Sequence, residues 1–269
     1  MRIGKLFEQL RTEPRAALIA YLTAGDPAPG RTASLVAALE RGGADLIELG
    51  VPFSDPVADG PVIQRASERA LKAGTTVARV LEIAREIRSR SEIPLLLFTY
   101  LNPALRYGFD RLAKDAAGAG IDGCLFTDLS VEEAAPHVEV LRRHKLDTVF
   151  LAAPTSTPER RALVARYSTG FVYLVSRTGV TGEQDSLSKA VAPLVASMRQ
   201  VTSLPLAVGF GVSKPEHAAQ IAGLADGVVV GSAVVRAIEE GGAEMERRLE
   251  RLARALREGI DSARAGRQA

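Results

Sequence analysis

The stretch that decides the fold is Asp45-Leu46-Ile47-Glu48-Leu49, a short run in which apolar residues predominate. A loop rich in proline and glycine, residues 50–60, follows it, and an amphipathic stretch over residues 61–73 comes next. Apolar residues that are grouped instead of alternating with polar ones are typical of a parallel strand buried on both faces. Strand, loop and helix in this order make one unit of an α/β fold.

The same unit recurs along the chain. The predicted strands are Ala17–Leu22, Asp45–Leu49, Leu95–Tyr100, Gly123–Phe126, Thr148–Ala152, Phe171–Val175, Leu206–Gly209 and Gly227–Val230. The predicted helices between them include Thr32–Arg41, Pro61–Ala73, Val77–Arg90, Arg111–Ala119, Glu132–His144, Pro158–Tyr167 and Lys189–Val201. Eight such units predict an α/β protein, a single (β/α)8 TIM barrel over residues 1–269. We expect an extra N-terminal helix before the first strand and an extended loop after the second.

Two further patterns bear on the fold. An open, doubly wound sheet is the alternative, but the G-x-G-x-x-G loop typical of its first strand is missing. Capping signals at predicted helix starts are Thr157 before Pro158, Ser130 with Glu133, and Ser213 with Glu216.

Length and composition exclude several classes of protein. The chain has 269 residues, 46% of them hydrophobic and 25% charged, as in an ordinary globular protein. Because 34 Lys and Arg against 32 Asp and Glu leave a formal net charge of +2, we expect no nucleic-acid partner. No apolar run is long enough to predict a membrane span. One cysteine, Cys124, and an N-terminus without a signal-peptide core predict a cytoplasmic protein.

Acidic residues at the end of the second predicted strand are candidates for catalysis. Glu48 lies between Ile47 and Leu49, where burial of an unpaired carboxylate costs free energy. Burial also raises the pKa of a carboxyl group, which then exchanges protons near neutral pH. A structural ion pair is the alternative for Glu48. Asp55 and Asp59 follow in a proline-rich loop, where they are either functional or simple turn residues.

Glycines after the last two strands predict a phosphate site. Gly209-Phe210-Gly211 and Gly231-Ser232 let backbone amides approach an anion, and we expect Ser232 to cap a short helix there. Two ordinary turns are the alternative. The polar loop 176–186 has the composition of a mobile lid or of a plain surface loop. Tyr173, just before it, either faces the barrel mouth or fills the core.

Taken together, these features predict acid–base cleavage or isomerisation of a small phosphorylated molecule. No metal site is predicted, because His137, His144 and His217 fall on helical patterns away from the strand ends. Cys124 is expected in the core.

The run Leu46-Ile47-Glu48-Leu49-Gly50-Val51-Pro52-Phe53-Ser54-Asp55-Pro56-Val57-Ala58-Asp59-Gly60-Pro61 closely resembles the signature of the tryptophan synthase alpha subunit family. The resemblance extends over nearly the whole chain. Further matching segments are Tyr21 to Pro27, Asn102-Pro103 before Tyr107-Gly108, Ala153 to Ser156, Ser176 to Gly182, Gly209 to Ser213, and Gly231 to Val235. Tyr21, where phenylalanine is common, and Ser130, in place of a proline, depart from the family pattern.

The resemblance implies retro-aldol cleavage of indole-3-glycerol phosphate to indole and glyceraldehyde 3-phosphate. It implies Glu48 and Asp59 as the catalytic carboxylates, with Tyr173 against the substrate. The implied phosphate-binding residues are Gly182, Phe210, Gly211, Gly231 and Ser232, and the implied indole pocket is Tyr21, Phe98, Tyr100, Leu125 and Thr127. Arg177, Gly179 and Thr181 would belong to the lid, where Thr181 meets Asp59 on closure.

A partner is implied as well. The family's beta subunit carries pyridoxal phosphate (PLP) and joins indole to serine in an α2β2 complex, a heterotetramer that makes L-tryptophan. The matching interface residues are Phe53, Ser54, Asp55, Pro56, Asn102 and Pro103. No cofactor is implied on this chain itself. A stand-alone indole-releasing lyase and a non-catalytic activator of the PLP enzyme remain the alternative functions.

Overall fold

Nine parallel strand segments form a sheet at the centre of the structure, a computed structural model that describes residues 1–13, 15–175, 184–209 and 211–265. The segments are β1 (Ala17–Thr23), β2 (Leu46–Gly50), β3 (Leu95–Thr99), β4 (Gly123–Phe126), β5 (Asp147–Thr148), β6 (Phe150–Ala152), β7 (Val172–Val175), β8 (Leu206–Gly209) and β9 (Gly227–Val230). Neighbours in the sheet are parallel throughout. Parallel neighbours require crossover connections, which helices supply here.

The order of the strands bends the sheet into a barrel. It runs β5-β4-β3-β2-β1-β9-β8-β7-β6. Only Val149 separates β5 from β6, so the two edges of the sheet are two halves of the fifth predicted strand. The predicted (β/α)8 barrel is therefore confirmed, and the open doubly wound alternative is wrong.

Helices surround this sheet. They are α1 (Arg2–Thr12), α2 (Thr32–Arg41), α3 (Pro61–Lys72), α4 (Val77–Arg88), α5 (Leu101–Tyr107), α6 (Phe109–Gly118), α7 (Ala135–Arg143), α8 (Pro158–Tyr167), α9 (Gln184–Arg199), α10 (Pro215–Ala222), α11 (Ser232–Glu239) and α12 (Met245–Ala265). Short 3₁₀ helices span Pro29–Arg31 and Val131–Glu133. In the described ranges, none of the helices is both long and apolar enough to cross a bilayer.

Side chains that alternate along each strand divide the core into two layers. Outward residues such as Leu18, Ile47 and Leu97 pack beneath the helices. Inward residues fill the barrel, and Phe7 of α1 packs on one of them, Phe171, with ring centroids 5.8 Å apart. Helix α1 thus closes the amino-terminal end of the barrel, and the carboxyl ends of the strands are left for a site.

Helix capping confirms one sequence prediction and contradicts two. The Thr157 hydroxyl accepts a hydrogen bond from the Arg160 amide at 3.2 Å, as predicted. Ser130 caps no amide, because its hydroxyl bonds to the Glu132 carboxylate instead. Ser213 lies before the start of α10, where Lys214 is the N-cap residue and makes no side-chain cap. Proline at the first position, with its fixed φ, starts that helix without a capping hydroxyl.

This difference predicts the effect of two matched substitutions. Thr157→Ala removes the acceptor for an amide at the start of α8 and is expected to lower the free energy of unfolding by about 1 kcal/mol. Ser130→Ala removes a hydroxyl that caps nothing and is expected to change it by less than about 0.3 kcal/mol. Urea unfolding of both variants measures the two values. Equal losses would contradict the capping assignment.

Candidate active site

Glu48 lies at the carboxyl end of the barrel, on β2, in register with Tyr21 of β1 and Leu96 of β3. The residue is 1% exposed. Neither of its carboxyl oxygens has a hydrogen-bond partner among the described residues, and none of their ion pairs includes it. Burial raises the pKa of Glu48 to about 8. The structural ion pair considered for Glu48 thus finds no partner in the described part of the chain.

Asp59 reaches the same end of the barrel from the loop between β2 and α3. The Tyr100 hydroxyl donates to Asp59 Oδ2 at 3.0 Å and accepts a hydrogen bond from the Ala58 amide at 3.0 Å. The Gln64 side-chain amide donates to the Asp59 carbonyl at 2.9 Å. Burial raises the pKa of Asp59 to about 6, and the hydrogen bond from Tyr100 opposes this rise. These hydrogen bonds therefore fasten the loop at Ala58 and Asp59. The carboxyl group of Asp59 ionises at a lower pH than that of Glu48.

Two tyrosines occupy space that two glycines leave open. A Cβ atom added to Gly50 would lie 2.4 Å from the Tyr21 hydroxyl, and one added to Gly209 would lie 2.3 Å from the Tyr173 hydroxyl. Both contacts are too close for any real side chain, so the glycines are required for these ring positions. Burial raises the pKa of Tyr173 well above its ordinary value, and the nearby Glu48 adds to this effect. Of the two positions considered for Tyr173, the barrel mouth and the core, the structure shows a half-buried side chain packed against the inner core cluster.

The remaining residues expected in the indole pocket lie on β3 and β4 or just beyond them. Phe98 meets Tyr21 edge to face, with ring centroids 5.1 Å apart. Leu125 is fully buried and in register with Phe98. The Thr127 amide donates to the Thr99 carbonyl at 2.9 Å. The structure thus places Tyr21 on β1, on one side of the strand that carries Glu48, and Phe98 and Leu125 on β3 and β4, on the other side.

The expected phosphate residues are partly described. Gly211 has a φ of +56°, a conformation that favours glycine. Gly231 is the N-cap residue of α11 and Ser232 its first residue, with no side-chain cap. The prediction that Ser232 caps a helix is wrong, because the helix begins one residue too early for that. Gly182 and Phe210 lie outside the described residues, as do the lid residues Arg177, Gly179 and Thr181.

The expected partner residues line two neighbouring cavities beside the Asp59 loop. A cavity of about 440 Å³ brings Phe53 and Ser54 together with Pro103, although Ser54 and Pro103 are 49 positions apart in the sequence. A second cavity of about 250 Å³ is lined by Phe53, Ser54, Asp55 and Pro56. Asn102 is exposed next to Pro103. Both segments predicted to meet a partner therefore form one continuous surface.

Comparisons with known proteins decide the family. The model of the family described as tryptophan synthase alpha chain matches residues 7–264. A tryptophan synthase alpha chain from Solibacter usitatus is 69% identical over 261 residues, which are 96% of this chain and 98% of that one. Another from Geobacter sulfurreducens is 48% identical over 96% of this chain and 98% of its own length.

The chain belongs to the tryptophan synthase alpha chain family. The resemblance seen in the sequence is thereby confirmed.

Solved structures agree with this membership. The tryptophan synthase alpha subunit from Legionella pneumophila superposes with a TM-score of 0.91 at 38% identity, covering 97% of this chain and 98% of that one. A tryptophan synthase from Mycobacterium tuberculosis, in an open form with BRD0059 bound, gives a TM-score of 0.88 at 42% identity. The match covers 96% of this chain and 98% of that one.

Sequence reasoning missed what four residues do at the candidate site of this alpha chain. Gly50 and Gly209 make room for the tyrosine hydroxyls, Gln64 fastens the Asp59 loop, and the Thr23 hydroxyl lies 3.2 Å from that of Tyr21. Alternation along β1 places Thr23 two residues beyond Tyr21 on the same face, a signal that was available. Within the described residues, no group of three His, Cys, Asp or Glu side chains is arranged to hold a metal ion.

The burial of Glu48 predicts a pH-dependent cost in stability. Between about pH 4.5 and pH 8, the Glu48 carboxyl group keeps its proton in the folded state and loses it on unfolding. Because the unfolded state then binds fewer protons, the free energy of unfolding falls as the pH rises through this range. The cost grows by about 1.4 kcal/mol per pH unit, to about 3 kcal/mol at pH 7. Glu48→Gln removes it.

We therefore expect the stability of Glu48→Gln relative to the unmodified chain to increase steadily from pH 5 to pH 8. Urea unfolding at four pH values measures this difference. Glu139→Gln, the same change at an exposed position of α7, serves as the control and should give a difference that is flat with pH. A flat difference for Glu48→Gln as well would contradict the burial of an unpaired carboxyl group.

Proposed function

We propose that this chain is the alpha subunit of a tryptophan synthase, a lyase that cleaves indole-3-glycerol phosphate to indole and glyceraldehyde 3-phosphate. Membership of the family supports the reaction. The observation that carries the assignment of residues is the buried Glu48, which has no partner among the described residues, at the same end of the barrel as Asp59, which Tyr100 holds in place. Paired carboxyl groups with different environments are suited to acid–base chemistry.

The reaction requires two proton transfers. The bond between indole C3 and the glycerol chain breaks when C3 receives a proton and the neighbouring hydroxyl group loses one, which leaves indole and an aldehyde. Because its pKa is about 8, Glu48 is protonated at neutral pH and is suited to give a proton to C3. The carboxylate that results then takes the hydroxyl proton, and Glu48 returns to its starting state.

Asp59 supplies negative charge. Its pKa of about 6 makes it mostly ionised at neutral pH. We propose that it accepts a hydrogen bond from the indole N–H and stabilises the positive charge that develops on the ring when C3 is protonated. Tyr100 holds this carboxylate by its hydrogen bond to Oδ2.

The substrate would lie across the carboxyl end of the barrel. We propose that its indole ring packs among Tyr21, Phe98 and Leu125, with Tyr100 and Thr127 at the edge of the pocket, and that Tyr173 lies against it near Glu48. The phosphate would bind the amides around Gly211, Gly231 and Ser232, at the start of α11. Gly182 and Phe210 would complete this cradle, and the lid with Arg177, Gly179 and Thr181 would cover it.

A beta subunit would receive the indole. We propose that it binds the surface formed by the segments 53–56 and 102–103, in an α2β2 complex in which PLP belongs to the beta subunit. The exposed apolar residues Val57, Leu71 and Leu105 lie on or beside the same surface. Exposed apolar side chains grouped in this way are typical of an interaction surface.

The proposed roles of Glu48 and Asp59 predict how catalysis depends on pH. Because Asp59 acts ionised and Glu48 acts protonated, we expect kcat/KM for indole release to rise through about pH 6 and to fall above about pH 8.

Glu48→Gln keeps the shape of the side chain but cannot exchange a proton, so turnover is expected to fall at least about a hundredfold. Indole release is measured with and without a beta subunit.

The outcomes separate the candidate functions. Slow release that a beta subunit accelerates supports the proposal. Fast release that beta does not change would favour a stand-alone lyase, and no release by a folded chain that still activates beta would favour a regulator. Turnover by Glu48→Gln above about one part in a hundred would remove Glu48 from its central role.

The proposed partner surface predicts the effect of a substitution on binding of the beta subunit. Leu105→Glu places a charge on an apolar residue that is 52% exposed, and we expect it to weaken binding of the beta subunit at least about tenfold. The control is Val201→Glu, the same kind of change at a residue that is 40% exposed after α9. Isothermal titration with the beta subunit measures both affinities. Equal affinities for the two variants would move the interface elsewhere.

A further inference from the structure

Two arginines of α3 bind one carboxylate at the end of α11. Arg65 donates two hydrogen bonds to Glu239, the last residue of α11, at 2.7 and 2.9 Å, and Arg69 donates a third at 2.9 Å. Arg69 also donates two hydrogen bonds to Asp26, in the loop after β1, at 2.7 and 2.8 Å. We refer to these four residues as the Glu239 cluster.

Neither helix favours these charges by itself. Arg65 and Arg69 lie four residues apart on one face of α3, where like charges repel each other. Glu239 places a negative charge at the negative end of the dipole of α11, which is also unfavourable. Both costs are offset when the helices meet, and the hydrogen bond from Arg65 lowers the pKa of Glu239 to about 2. The charges therefore favour the association of α3 with α11.

The geometry of the Glu239 cluster makes it more than an isolated surface ion pair. Such pairs contribute little, whereas forked pairs between arginine and carboxylate groups that form a network hold a defined geometry. Asp26 is 0% exposed, so its charge requires the Arg69 guanidinium group. Arg69 thus connects Glu239 to a buried anchor beside β1.

The contacts between α3 and α11 advance in the same direction along both helices. Ile63 Cδ1 lies 3.8 Å from the position that a Cβ on Gly231 would take. Ala66 and Val235 come next and belong to one apolar cluster. The Glu239 cluster follows one turn further along each helix. Because the two helices run in the same direction, their N-terminal ends lie together at the carboxyl end of the barrel.

Each of these N-terminal ends carries one part of the candidate site. On α3, the Gln64 side chain donates to the Asp59 carbonyl at 2.9 Å, and the Gly60 carbonyl accepts the first amides of the helix. Helix α11 begins at Gly231 and Ser232, where the phosphate would bind. A substrate with its indole ring at Asp59 and its phosphate at α11 would bridge the two helix ends.

We propose that the Glu239 cluster is a positioning group that holds α3 against α11 and thereby sets the distance between Asp59 and the phosphate end of the site. This inference rests on the proposed function, since it assigns a role within the same site. A ligand that bridges two subsites binds best when its length matches their separation. A separation that is fixed before binding also lowers the entropy that binding costs.

Glu239→Ala tests the proposal. It removes the acceptor of both arginines, introduces a residue that favours helices, and leaves the pair of Asp26 and Arg69 intact. We expect kcat/KM for indole-3-glycerol phosphate to fall about tenfold, because this ligand spans both ends of the site. The affinities for indole and for inorganic phosphate, which each occupy one end, should change less than about twofold. NMR titrations in the Glu48→Gln background measure the three affinities without turnover.

Two further variants serve as controls. Glu82→Ala removes an exposed carboxylate that pairs with Arg79 within α4, and should change none of the three affinities. Arg65→Ala combined with Glu239→Ala should bind substrate within about twofold of Glu239→Ala alone, because both changes remove the same contact. If Glu239→Ala lowers the melting temperature but weakens substrate binding no more than indole and phosphate binding, the cluster is structural and the inference fails.

Failure of the proposed function gives a different result. If the unmodified chain neither binds nor cleaves indole-3-glycerol phosphate, the reaction assignment fails. Hydrogen exchange then still tests whether the cluster holds the helices, since amides of α3 and α11 should exchange faster in Glu239→Ala than in Glu82→Ala. Equal exchange in these two variants would overturn the inference about the Glu239 cluster, even where the unmodified chain is active.

Discussion

The site depends on one unfavourable arrangement, the burial of the Glu48 carboxyl group without a partner among the described residues. A surface carboxyl group would be ionised and would hold no proton to give at neutral pH. The barrel supplies the missing environment, because β2 is flanked by β1 and β3 and the side chain points inward. The apolar surroundings that raise the pKa of Glu48 also lower the stability of the fold, so the role that we propose for Glu48 and the stability of the fold oppose each other at this residue.

The loop after β2 completes the site from a different direction. Asp59 remains partly exposed, and Tyr100 and Gln64 fasten the loop to β3 and to α3. The two carboxyl groups therefore differ in environment even though they are only eleven positions apart in the sequence. A deeply buried acid and a hydrogen-bonded carboxylate suit a reaction in which one group moves protons and the other stabilises charge.

Much of this was predictable from the sequence. The grouping of apolar residues gave the strands to within one or two residues, since parallel strands buried on both faces leave a strong signal. Glu48 stood out because a carboxyl group in an apolar strand has few explanations. The role of Gly50 and Gly209 was not predictable in this way, because it depends on where a tyrosine on the neighbouring strand places its hydroxyl. The capping boxes at Ser130 and Ser213 failed since a competing carboxylate and a proline decided those helix starts.

The ionisation of Glu48 itself tests the central claim most directly. With the chain labelled at the glutamate side-chain carboxyl carbons and Glu48 identified by the loss of its signal in Glu48→Gln, an NMR titration follows that group alone. We predict a midpoint near pH 8 in the ligand-free chain. A midpoint near pH 4.5, the ordinary value for glutamate, would show that Glu48 is ionised at neutral pH and is not the acid that begins the reaction.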